Sequence, residues 1–135
     1  MLKKIGLNVI VILLLVSCKE VDKKVYEEKT LVPSWYHETM TQVTDVIIHD
    51  ILSPPVASRV YGYVTLAGYE ALVFQSDSLQ TNAGLFKGLT AFPQPEEGEI
   101  YSFPISSFTA MLKVAKSQTF TLEKYDEFEK SMYEK

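Results

Sequence analysis

One cysteine, one arginine, two histidines and one tryptophan occur in 135 residues, and each scarcity excludes something. A single thiol, Cys18, rules out an internal disulfide and any multi-cysteine zinc site. A single guanidinium, Arg59, rules out sites that need several arginines around an oxyanion. The two histidines, His37 and His49, stand twelve residues apart on one expected helix. They are over three turns from each other and cannot chelate a metal as an i, i+4 pair does. Basic residues number 13 against 17 acidic ones, a net charge of −4, with no clustered Lys or Arg for nucleic-acid phosphates. Gly-x-Ser-x-Gly and His-Glu-x-x-His do not occur. Gly84-Leu-Phe-Lys-Gly88 has no helix start behind it that would make it a phosphate loop.

The N-terminus is the most informative stretch present. Lys3 and Lys4 precede an almost wholly apolar run from Ile5 to Val16. That run is shorter than the ~20 residues a bilayer span needs, but it suits a cleaved signal peptide. Leu15-Val16-Ser17-Cys18 has the form of a bacterial lipobox, so Cys18 is the expected lipid attachment site and membrane lipid the expected partner. The acyl chains must do the anchoring, because no polybasic patch is present. The expected location is the cell envelope, facing the periplasm or the surface. Cleavage after residue 17 removes two lysines and no acid. It leaves 135 − 17 = 118 residues with a charge of −6, enough for one small domain.

The expected organisation is a signal peptide over 1–17, a charged tether over 18–33 and a helical domain over 34–135. Lys19 to Lys29 holds four lysines and four acids, as a flexible spacer would. The domain is expected to be all-α, with about four helices. From Ser34, a plausible N-cap, to Leu52, an apolar stripe runs through Trp35, Met40, Val43, Ile47 and Ile51. Ser53-Pro54-Pro55 ends that helix and opens the next. Val56 to Gln75 is apolar nearly all round, as a central buried helix is. Arg59 and Glu70 are its charges and are expected to be buried and held by structural pairing, since an unpaired buried charge costs several kcal/mol. They lie eleven residues, roughly 16 Å, apart along the axis. Ser76 to Pro104 is a breaker-rich connection expected to pack Leu85, Phe86, Leu89, Phe92, Ile100 and Tyr101 onto the helices. A third helix covers Ser106 to Ser117, with Phe108, Met111, Leu112 and Ala115 on one face. Thr121 could cap a fourth through Leu122, Tyr125, Phe128 and Met132, where Lys124 could pair with Glu127. His49 beside Asp50, and His37 beside Glu38, are expected to be solvated.

The run Leu52-Ser-Pro-Pro-Val-Ala-Ser-Arg-Val-Tyr-Gly-Tyr63 followed by Leu66-Ala-Gly-Tyr-Glu-Ala-Leu72 resembles the N-terminal helical region of bacterial vanadium-dependent haloperoxidase-like proteins, in the type 2 phosphatidic acid phosphatase superfamily. Leu85, Leu89, Pro93 and Pro95 are similar to the loop that follows there, and the likeness spans roughly residues 35 to 120. The resemblance implies an all-α fold whose active site holds vanadate or phosphate. The family builds that site from a Lys followed by Arg-Pro, a Pro-Ser-Gly-His segment, and a Ser-Arg with a later His. None of these occurs here, and Arg59 is followed by Val60. No catalytic, cofactor-binding or metal-binding residue carries over. Vanadate or phosphate is expected only in a full-length relative.

Three readings follow. The chain is the N-terminal part of such a protein, inactive alone, with C-terminal helices or a protein partner covering the apolar helix 56–75; the helical pattern running up to Lys135 suggested this. It is alternatively a self-contained, lipid-anchored interaction module built as a small four-helix bundle. The weakest reading is an enzyme with an unfamiliar site around Glu70, Arg59 and His49.

Overall fold

The computed structural model describes residues 22–134. The signal peptide and Cys18 lie outside them. Five α-helices follow in order: α1 (Lys23–Thr30), α2 (Ser34–His49), α3 (Pro54–Leu72), α4 (Phe103–Gln118) and α5 (Leu122–Tyr133). A 3-10 turn, Val73–Gln75, extends α3, and no strand occurs among the described residues. The expected four helices are α2 to α5.

α1 departs from the expected tether. Its start is explained by Asp22, whose carboxylate accepts the backbone N–H groups of Lys24 at 2.9 Å and Val25 at 3.4 Å. That is an N-cap, which satisfies donors the helix cannot satisfy internally. Ser34, expected to cap α2, already lies inside it. The cap position falls to Pro33, which has helical dihedrals and no side-chain bond.

α2 stops at His49, three residues before the end expected. The Leu52 N–H bonds to the Ile47 carbonyl and the Ile51 N–H to that of Ile48, both at 3.1 Å. This is a Schellman ending, which requires a left-handed residue at its turn. Here that residue is Ile51, with φ 52°. The reversal throws Ile51 out of the apolar stripe and leaves it 89% exposed. Val46 takes its place among the buried residues of α2, with Thr39, Val43 and Ile47.

Pro54 and Pro55 open α3, where a proline's missing N–H costs nothing. Val60, Val64 and Gly68 face α4 at close range. An added Cβ on Gly68 would lie 2.7 Å from Met111 Cγ. The Ser107 hydroxyl uses that proximity to donate to the Gly68 carbonyl at 2.9 Å. α4 begins at Phe103, with Ser102 accepting the Ile105 N–H at 3.3 Å, so Pro104 belongs to its first turn and not to the loop. Its expected face of Phe108, Met111, Leu112 and Ala115 is buried against Val43, Val46, Val60, Val64, Tyr125 and Met132. α5 joins through Tyr125 and Met132. Lys116 of α4 pairs with Asp126 at 2.8 Å and Glu129 at 2.5 Å, in place of the expected Lys124–Glu127 pair.

α3 is not buried all round. Its α4 side is covered, whereas Val56 and Tyr63 are exposed, Tyr63 by 52%. Loop 76–102 closes only part of the remainder: Leu89 and Phe92 are half-buried, but Leu85, Phe86 and Ile100 stay exposed. Among the described residues, no helix is long and apolar enough to cross a membrane.

Candidate functional site

The two charged groups of α3 have different fates in the structure. Glu70 is buried, at 3% exposure. Its carboxylate meets no cation among the described residues. It accepts the Thr81 hydroxyl at 2.6 Å, the Asn82 backbone N–H at 2.8 Å and the Asn82 side-chain amide at 2.7 Å. Burial raises the Glu70 pKa, but these three donors outweigh it and hold the carboxyl below its ordinary value. Glu70 therefore pins the start of the long loop to α3, and the Tyr69 hydroxyl adds a bond to the Gln80 carbonyl at 2.8 Å. Arg59, expected to be buried, is exposed. It stands on the wall of a cleft and has no ion-pair partner among the described residues.

That cleft has a volume of about 1060 Å³. One wall is the α3 stripe Arg59, Gly62, Tyr63, Leu66 and Tyr69. Tyr36 of α2 and the tight loop carrying Phe86, Lys87, Gly88 and Leu89 close the other side. Glu70 positions that loop through Asn82, and the Gly84 N–H bonds to the Leu89 carbonyl to close it. Gly84 and Gly88 supply the positive φ the reversal needs, 83° and 88°. A second cleft of about 590 Å³ lies along another side of α3, between Ala67, Ala71, Phe74 and the Phe92–Pro95 segment.

A second constellation escaped the sequence. His49 is solvated as expected, its side chain 53% exposed, but the Asp50 side chain beside it is only 3% exposed. Its Oδ2 accepts the N–H groups of Phe120 at 2.7 Å and Thr121 at 3.3 Å, and its Oδ1 accepts the Thr121 hydroxyl at 2.5 Å. His49 Nδ1 lies 3.1 Å from the Thr121 hydroxyl and 3.4 Å from Asp50 Oδ1. Burial raises the Asp50 pKa, and these bonds more than reverse it, so it sits below the ordinary carboxylate value. Asp50 thus fastens the turn that leads into α5 to the end of α2. The Thr121 side chain caps nothing itself. A threonine, a histidine and an aspartate meet here, but both contacts of the imidazole fall on one nitrogen. The cluster is a joint between helices.

The described residues do not bring a histidine together with the cations that a vanadate site of the resembled kind uses. The only arginine and Lys87 share a cleft that no histidine lines, His49 belongs to the Asp50 joint, and His37 sits on the outer face of α2 beside Tyr36. Among the described residues, no group of three His, Cys, Asp or Glu could hold a metal ion.

The fold has a known counterpart. A crystal structure described as the first bacterial vanadium-dependent iodoperoxidase superposes with a TM-score of 0.71 and 32% identity over 75% of this chain. The helical part of the chain is similar in structure to a vanadium haloperoxidase-like fold. The chain spans about a quarter of the length of that protein, 25%. No family model and no curated protein matches the sequence.

Proposed function

We propose that this chain is the N-terminal helical part of a vanadium haloperoxidase-like protein, a scaffold that carries no vanadate site of its own. The carrying observation is the superposition at 32% identity onto a quarter of an iodoperoxidase. In this reading the catalytic groups belong to the remaining three quarters of the fold. The lipobox ending at Cys18 tethers the scaffold to lipid in the cell envelope.

Two measurements test it. The purified full chain is expected neither to bind orthovanadate in calorimetry nor to oxidise iodide with hydrogen peroxide; stoichiometric vanadate binding would overturn the reading. A chimera in which the chain replaces the matched quarter of the iodoperoxidase is expected to fold and to bind orthovanadate. A chimera that aggregates, while the isolated chain stays folded and monomeric, refutes it. The lipid anchor is tested separately by Cys18→Ser, which should move the protein from the membrane to the soluble fraction.

A further inference from the structure

We infer that the cleft along Arg59, Gly62, Tyr63 and Leu66 of α3 is the seat of one helix from the remainder of the fold, and that this helix presents an acidic side chain to Arg59 and Lys87. The inference rests on the reading above and adds the face and its chemistry. Four observations carry it.

The first is shape. The α3 stripe runs from residue 59 to residue 69, about 15 Å, which matches between two and three turns of a partner helix. The second is Gly62. It lies mid-helix, where glycine costs about 1 kcal/mol relative to alanine. Its φ is not positive, and a Cβ there would meet nothing within 4 Å. Neither backbone nor internal packing demands glycine, whereas a second backbone closing over the stripe would. The third is charge: the chain is acidic overall, yet two cations without ion-pair partners among the described residues border this trough. Apolar and aromatic side chains rimmed by unpaired cations are complementary to an amphipathic helix with a carboxylate. The fourth is the comparison, since three quarters of the similar fold has no counterpart in this chain.

The test uses the chimera and the isolated full chain side by side, both with Cys18→Ser so that an introduced thiol is the one that this chain contributes. In the isolated chain, Tyr63→Cys should react rapidly with a maleimide. In the folded chimera its labelling should slow at least tenfold. Gly62→Leu should leave the melting of the isolated chain unchanged or raised, and lower that of the chimera by roughly 3 °C or more. Arg59→Glu with Lys87→Glu should lower the chimera's melting point likewise and leave the isolated chain's unmoved. A chimera that folds and binds orthovanadate, yet labels as fast as the isolated chain or ignores Gly62→Leu, overturns the docking face and leaves the scaffold reading intact. Protection without any effect of the charge reversal overturns the acidic contact. A chimera that cannot fold, beside an isolated chain that does, removes both.

Discussion

At Ile51 the backbone adopts a conformation that a β-branched side chain resists, because Cβ crowds the following carbonyl. Left-handed geometry costs such a residue about 1–2 kcal/mol, and the exposed side chain recovers little of it. Ile51→Asn should therefore raise unfolding stability by about 1 kcal/mol in urea melts, since Asn tolerates this turn. The glycines of α3 make an opposed pair. Gly68→Ala would drive a Cβ into Met111, which is fully buried and hemmed in. Overpacking of this kind costs about 1–3 kcal/mol, more than the gain in helix propensity. Gly62→Ala meets open space and should stabilise the isolated chain by about 0.5–1 kcal/mol in the same assay. Tyr125 is another residue at odds with its surroundings: its hydroxyl is buried with no partner of hydrogen-bond geometry. Burial raises its pKa, and the Thr119 hydroxyl, already donating to the Ala115 carbonyl, is only a weak polar neighbour. Tyr125→Phe removes an unmet hydroxyl from the core and should be neutral or stabilising by up to about 1 kcal/mol.

Between elements, one carboxylate joins two helix ends. Asp50 sits at the C-terminal end of α2, where a negative charge is unfavourable. It is also at the N-terminal end of α5, where the same charge is favourable and three donors converge on it. Charge-assisted bonds contribute about 1.5–3 kcal/mol each and share one acceptor group here. Asp50→Ala should thus cost about 2–4 kcal/mol, and hydrogen exchange should show α5 opening before α3 and α4. α3 and α4 share the most extensive contact between helices, close at Gly68 and joined by the Ser107 bond. α5 is held at one end by Asp50 and along its length by Tyr125, Met132 and the Lys116 pairs.

At the scale of the whole molecule, the two depressed carboxylates set the response to acid. Asp50 and Glu70 both have folded pKa values below their ordinary values of 3.8 and 4.5. The unfolded chain then binds more protons as pH falls, so their contribution is complete above about 4.5 and is lost as pH drops through the folded values. Stability measured by urea titration should be flat from neutrality to about pH 5 with respect to these groups and fall below that. Asp50→Asn with Glu70→Gln should lower the plateau and flatten the acid limb; an unchanged limb would mean the two carboxylates do not govern acid unfolding. The same scale shows why α3 matters. It is the helix around which the chain is organised, yet two clefts flank it, so its apolar surface exceeds what α2, α4 and the loop cover.

What the sequence determined by itself was the helical class, the four main helices and the face of α4, because apolar periodicity and proline punctuation act locally. Glu70 as a buried charge was legible for the same reason: an isolated carboxylate in a long apolar helix must find donors. The early stop of α2, the exposure of Ile51 and Arg59, and the Asp50 joint were not legible. The first two follow from a local turn with no glycine to signal it, the exposure of Arg59 from which side of α3 lies bare, and the Asp50 joint from residues that meet across some seventy positions. A helical wheel shows that α3 is apolar on every side. Only the tertiary structure decides which of those sides its own chain covers, because covering a surface depends on the placement of other helices and not on the pattern of the one being covered.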